Sequence, residues 1–377
     1  MPQRFRDSPV ARKHVIGYHL PHAEARAEVT TKPNFLTNLW YVAAVGGSLK
    51  RGSMRREMLC GQPVLLGRGA DGRVFALRDI CPHRAAPLSA GRFSNGDVEC
   101  PYHGWRFTPE GQCSHIPSVL QDQKLDIGAI RVRNYPCREQ DGLIWVYVAA
   151  DPREAPAFGP PVIPIAAANG EARPRFVEAQ FFPCEADHAV VGLMDPAHGP
   201  FVHRAWWWRS EGSIHAKSKL HTPSFRGFTM AGHKPSSNSF AYKVLGGDLT
   251  TEIRFELPGL RFEHIRVGRR EVLGFTAVTP KEDETTLVTQ VFYWTVPWLR
   301  AIKPLFRPFA RAFLGQDRRI VELQNQGLKF SPPQMLIQDA DVPAIWYHRL
   351  KKAWSESVET GKPFVNPVQE RMLHWRS

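Results

Sequence analysis

Two short segments each offer a cysteine and a histidine to a metal: Cys81-Pro82-His83 and Cys100-Pro101-Tyr102-His103. Thiolate and imidazole side chains suit zinc and iron. Each pair lies in a turn-rich run, Asp79-Ile80-Cys81-Pro82-His83-Arg84 and Glu99-Cys100-Pro101-Tyr102-His103-Gly104, where Pro and Gly favour a tight backbone. Zinc accepts a Cys2His2 shell, but its usual signature keeps the two cysteines together and the two histidines together. Here each loop carries one of each, which argues against zinc. The other cysteines, Cys60, Cys113, Cys137 and Cys184, have no pairing rhythm and read as small buried hydrophobes.

The mixed order C-x-H then C-x-x-H resembles the Rieske motif, in which one iron of a [2Fe-2S] cluster is held by two thiolates and the other by two imidazoles. Further on, Gly192-Leu193-Met194-Asp195-Pro196-Ala197-His198-Gly199-Pro200-Phe201-Val202-His203 resembles the D-x-x-H-x4-H motif of the Rieske non-haem iron oxygenases. The likeness runs from about residue 38 to 355. It implies a [2Fe-2S] cluster on Cys81, His83, Cys100 and His103, at a potential raised by replacing two thiolates with imidazoles. It also implies a mononuclear Fe(II) on His198, His203 and a distant carboxylate, with positions left open for O2. For that carboxylate the resemblance points to Asp317 in Leu314-Gly315-Gln316-Asp317-Arg318-Arg319-Ile320-Val321-Glu322, with Glu322 as the competitor. Asp195, three residues before His198 and on the same face if both are helical, takes the family's bridging role toward His103 of a neighbouring subunit.

The activity implied is that of a terminal oxygenase component. Electrons from NAD(P)H arrive through a reductase or ferredoxin, O2 is consumed, and a bulky apolar or aromatic substrate is hydroxylated or oxidatively dealkylated. Length resembles the alpha-only phthalate, vanillate and dicamba group, which form homotrimers. Val191 stands where many ring-hydroxylating members carry Asn, a departure from the naphthalene-type enzymes. The rival readings are a Rieske electron carrier or redox sensor, which has no use for the histidine pair, and a zinc-dependent interaction module.

These residues need a scaffold. With 377 residues and 43% hydrophobic content the chain is globular and long enough for two domains. Residues 1–33 read as a polar extension. Short apolar runs at 63–67, 74–77, 98–100 and 143–148 predict an all-β Rieske domain over 34–150. A Pro/Ala/Gly-rich linker spans 151–170. Alternating runs at 251–257, 260–267, 271–279 and 285–295 predict an antiparallel sheet in a catalytic domain over 171–377. The fold class is therefore α+β, with helices flanking the sheet in the helix-grip manner. Ile302, Leu305, Phe306, Phe309 and Phe313 form one helical stripe, although Pro304 and Pro308 predict a break. Asp339 and Asp341 read as N-caps of a last helix. Ala205-Trp206-Trp207-Trp208-Arg209, Phe225, Phe228 and Met230 are candidate pocket residues, with Arg209 suited to a substrate carboxylate.

The absence of a signal peptide and of a long apolar run points to a cytoplasmic protein without a membrane span. Net charge is +13, but no nucleic-acid motif accompanies it, so an acidic redox partner is the expected use of the charge. Arg84, Arg92 and Arg106, near the cluster ligands in sequence, are candidate docking residues.

Overall fold

The computed structural model describes residues 35–120, 122–165, 172–203, 214–234 and 247–377. The N-terminal extension, the tryptophan run and Arg209 lie outside these residues, as do the side chains of Ile302 and Leu305.

Leu143–Val148 is apolar throughout and buried at every position, as a central strand must be. It pairs with Leu39–Val45 on one side and Cys137–Gln140 on the other. A second sheet joins Ser53–Leu59, Gln62–Arg68, Val74–Arg78 and Asn134–Tyr135; a third joins four short strands, Arg92–Ser94, Asp97–Glu99, Arg106–Phe107 and Cys113–His115. The first Cys/His loop follows Val74–Arg78, and the second is the turn between Asp97–Glu99 and Arg106–Phe107.

The remaining strands make one antiparallel sheet of eight, in the order Phe176–Phe182, Thr285–Trp294, Arg270–Glu282, Leu260–Val267, Leu249–Glu256, Gly227–His233, Ala216–Ser224 and Arg371–Arg376. Its two faces do different things. Leu260, Phe262, Leu273 and Phe275 on one face share a core with Trp40, Trp145 and Tyr147 of the N-terminal half. The other face carries the helices, as Phe228 against Trp346 and Phe176 against Phe306 show. The two halves of the chain are thus joined through continuous packing.

The helix Leu299–Leu328 runs through both prolines. Residues 300 and 304, whose carbonyls lose their N–H partners, are solvent-exposed, so water takes the lost bonds. Phe306 turns inward against Phe176 and Trp294, whereas Phe309, expected on the same stripe, is 41% exposed. The last helix, Val342–Thr360, buries Trp346, Tyr347, Leu350 and Trp354 and ends at Gly361 in a left-handed cap. Asp341 holds the N-cap position, but its carboxylate accepts from the Ile337 N–H, and Asp339 accepts from Arg371 and the His374 N–H. Those bonds tie the helix entry to the edge strand.

Arg226 sits buried in the turn before Gly227–His233, 2.8 Å from the equally buried Glu256, with its guanidinium 3.7 Å from the Phe158 ring and 5.8 Å from that of Trp354. The pair therefore fastens the residue 151–165 segment and the last helix to the sheet. Removing one partner of a buried pair strands the other charge, at a cost of about 3 kcal/mol or more. Glu256→Gln is expected to lower stability by about that amount, read as a shifted denaturant midpoint with the metal sites still filled.

Candidate metal centres

Both Cys/His loops are built on one backbone plan. The Cys81 N–H donates to the Ala86 carbonyl at 2.9 Å, and the Cys81 carbonyl accepts from the Ala85 N–H at 2.9 Å. The Cys100 N–H donates to Trp105 at 2.8 Å, and its carbonyl accepts from the Gly104 N–H at 3.1 Å. The fourth residue after each cysteine is left-handed, φ 58° at Ala85 and 70° at Gly104, which glycine adopts freely and alanine only under strain. Asp79 locks the first loop by accepting from the Ser89 N–H and hydroxyl at 2.7 and 2.6 Å.

Cys81 and Cys100 are buried and adjacent. Burial pushes the Cys81 thiol up to about 11; the His83 N–H opposes this and the Cys100 thiol adds to it. The two imidazoles lie 4.6 Å apart, His83 stacked on Trp105 at 7° and His103 on Tyr102 at 3.9 Å. Burial, with the neighbouring His83 and Arg84 charges, holds His103 below its ordinary pKa and so in the neutral, ligating form. Two thiols and two imidazoles on paired loops fit a His2Cys2 [2Fe-2S] cluster. Of the expected docking arginines, Arg92 and Arg106 pair with Glu99 at 2.7 and 3.0 Å, and Arg84 lies over the Tyr102 ring.

The second centre assembles from three elements. Asp195 ends the helix Ala186–Met194, so it does not share a helix face with His198 as expected. Pro196 stops the helix, and Asp195 closes a turn in which its Oδ1 accepts from the Ala197 N–H at 2.7 Å and its carbonyl takes the His198 Nδ1–H at 2.8 Å. His203 follows the one-turn helix Gly199–Val202. It is buried, stacked on Phe313 at 3.7 Å, and its Nδ1–H donates to Gln316 Oε1 at 3.0 Å. Asp317 comes from the long helix.

With both Nδ1 atoms serving as donors, both Nε2 atoms are left as acceptors, yet they face each other at 3.2 Å. Asp317 Oδ1 lies 3.3 Å from the Nε2 of His203 and 3.8 Å from that of His198. Three acceptors converging on one point repel unless a cation lies among them. A proton can serve: burial opposes charging His198, but Asp195 and Asp317 outweigh it and raise its pKa. A divalent metal serves better, and among the described residues this is the group of three suited to one. Glu322, the competitor, is held by Arg318 at 2.8 Å.

Comparison with known proteins matches the same two regions. The Rieske [2Fe-2S] domain profile covers residues 39–136, and the vanillate O-demethylase oxygenase C-terminal domain profile covers 184–357. The chain belongs to the Rieske oxygenase family. It is 39% identical over 175 residues to the oxygenase component of dicamba O-demethylase from Stenotrophomonas maltophilia, covering 45% of this chain and 48% of that one. It is 32% identical over 355 residues to chlorophyllide a oxygenase of Chlamydomonas reinhardtii, covering 88% and 51%. The chain thus spans about half the length of these curated relatives. Against a crystal structure of dicamba monooxygenase bound to dicamba the fold superposes with a TM-score of 0.70 at 24% identity, covering 87% of this chain and 98% of that one.

Two residues beside this candidate centre escaped sequence reasoning. Gln316 fixes the His203 tautomer and Phe313 fixes its ring plane; the only signal was their spacing, one and four residues before Asp317 on a helix. Gln316→Leu is expected to weaken Fe(II) binding about 10- to 100-fold, measured by competition with a chelator. Burial pushes the Asp317 carboxyl up to about 6, against the opposing charges of His198 and Arg261. Because the ligand is the carboxylate, protons compete with metal. Fe(II) affinity is expected to hold above that pH and to fall as pH drops through about 6, in a titration of the metal-free site. Of the expected pocket residues that are described, Phe228 packs against Phe255 and Trp346, and Phe225 packs beside Arg226 and Phe158, which leaves Met230 among them as a candidate for a pocket wall; residues 205–209 lie outside the described residues.

Proposed function

We propose that this chain is the terminal oxygenase component of a multicomponent system. It takes electrons from NAD(P)H through a reductase or ferredoxin and hydroxylates or oxidatively dealkylates an aromatic or bulky apolar substrate. The observation that carries this reading is the pair of imidazole acceptors at 3.2 Å with a carboxylate beside them, in a chain that also has a Rieske domain. An electron carrier has no use for such a centre.

In this reading Cys81, His83, Cys100 and His103 hold the cluster, and His198, His203 and Asp317 hold a mononuclear Fe(II) on one side. That iron supplies the O2 chemistry, since three protein ligands leave room for oxygen beside substrate. The protein's own part is to fix the ligand tautomers through Gln316 and the Asp195 carbonyl, and to exclude water behind Phe313. Exposed His83 and Tyr102 support the cluster edge as the face that meets a partner. Asp195, whose carboxylate is 31% exposed, is the proposed route from the cluster of a neighbouring subunit, within a homotrimer in the cytoplasm. No helix among the described residues is long and apolar enough to cross a membrane.

Iron per chain and the EPR spectrum of the anaerobically purified, dithionite-reduced protein test the proposal. Three irons with the signal of a His-ligated [2Fe-2S] cluster are expected. Two irons would leave an electron carrier, and a colourless zinc protein would remove both centres.

A further inference from the structure

Five cations line one cavity where the N-terminal strands, residues 172–177 and the start of the long helix meet. It measures about 1140 Å³, and Arg173, Arg175, Arg300, Lys303 and Arg307 share its wall with the apolar Val45, Pro174 and Phe176. The fold holds them there. Gly142 takes a left-handed turn, φ 74°, and a Cβ on it would lie 2.4 Å from the Cδ of Pro174, so the segment carrying Arg173 and Arg175 packs directly on the N-terminal half. The Arg175 N–H then donates to the Phe292 carbonyl at 2.8 Å, which ties the segment to the sheet. Arg300, Lys303 and Arg307 follow one another at helical spacing on Leu299–Leu328 and form one stripe.

These charges are not offset. Glu139, the acidic residue of the cavity wall, is already paired with Arg68 at 2.5 Å. Among the described residues Arg307 has a carboxylate in reach, Glu178 at 3.9 Å, and the other four cations have none. Their charge is thus directed at one space, between apolar walls that concentrate the field. Solubility gives no reason for this, because interspersed signs serve it better. An anion in the cavity removes the repulsion. All but Lys303 are arginines, whose planar forks meet phosphate oxygens in pairs. The volume suits a small molecule and exceeds what a lone ion needs.

We propose that this cavity binds a small molecule carrying a pyrophosphate group, such as a nucleoside diphosphate, with Arg175, Arg300 and Lys303 as its principal contacts. None of the candidate cluster or triad ligands lines it, so the ligand is an effector, and its binding does not depend on the oxygenase reading. The helix that supplies Arg300, Lys303 and Arg307 also carries Phe313, Gln316 and Asp317. An occupied cavity therefore braces the element on which the mononuclear centre is built.

Calorimetric titration of the full-length, metal-loaded protein with ADP and with AMP, in chloride buffer at about 150 mM ionic strength, tests this. One ADP per chain is expected, bound about tenfold or more tighter than AMP, because the second phosphate adds charge-assisted hydrogen bonds. Arg300→Gln combined with Lys303→Gln, both exposed on the helix surface, should weaken ADP about 100-fold at unchanged iron per chain. Arg349→Gln combined with Lys329→Gln removes the same charge outside the cavity and should leave the affinity within about twofold. Heat that does not saturate, or equal affinity for ADP and AMP, would overturn the proposal. So would an ADP affinity that survives in the Arg300 and Lys303 variant, the sign of chelation by the iron itself, or an equal loss in the Arg349 and Lys329 variant, the sign of diffuse net charge.

Discussion

His203→Ala is expected to leave the purified chain with two irons in place of three, an unchanged cluster spectrum and almost no turnover. His203 is 2% exposed, its Nδ1 is committed to Gln316 and its ring is pinned by Phe313, so its Nε2 has one direction to point. Losing an outer partner of a metal-bound histidine already costs 10- to 100-fold in affinity or activity. Losing the ligand itself should cost more than about 100-fold and leave a site of one imidazole and one carboxylate. Asp317→Ala should behave alike, while Glu322→Ala should keep three irons, because Glu322 belongs to the Arg318 pair. Iron analysis with EPR decides the matter. A His203→Ala protein that retains a third iron would remove the residue from the centre.

The cluster loops and the histidine pair were legible because their chemistry needs rare residue types at short spacing. Strands such as Leu143–Val148 and Leu260–Val267 were legible because burial on two faces or one writes a continuous or alternating apolar pattern. Where the outcome depended on tertiary partners, the sequence was silent. The edge strand Arg371–Arg376 is mostly exposed, with charged residues at both ends and no regular apolar alternation, and it is a strand because Ala216–Ser224 offers it a ladder. Pro304 and Pro308 read as a break because proline removes helix bonds, yet exposed carbonyls and the packing of Phe306 let the helix continue. Gln316 looked like any polar helix residue until His203, 113 positions away, supplied its partner. The DxxH spacing suggested that Asp195 and His198 share a helix face, but Pro196 ends the helix and makes the segment a closed turn.

That turn frames the second large effect, expected in Asp195→Asn and Asp195→Ala. The His198 ring is oriented by the Asp195 backbone carbonyl at 2.8 Å, while the side-chain Oδ2 stands 3.6 Å from Nδ1. Replacing the side chain therefore leaves the His198 ligand geometry in place, and both variants should hold three irons with a normal cluster spectrum. The asparagine variant also keeps an oxygen for the Ala197 N–H, so the turn itself survives. What disappears is a carboxylate, 31% exposed and 3.6 Å from the Nδ1 of His198, at which an imidazole of a neighbouring subunit is proposed to dock. If electrons cross there, turnover should fall about 100-fold or more in both variants, and rapid mixing of the reduced protein with O2 and substrate should show a cluster that stays reduced. A merely structural Asp195 predicts the opposite pattern: loss of iron in the alanine variant and rescue by asparagine. Turnover at the wild-type rate in Asp195→Asn would show that the carboxylate charge has no part in carrying electrons to His198.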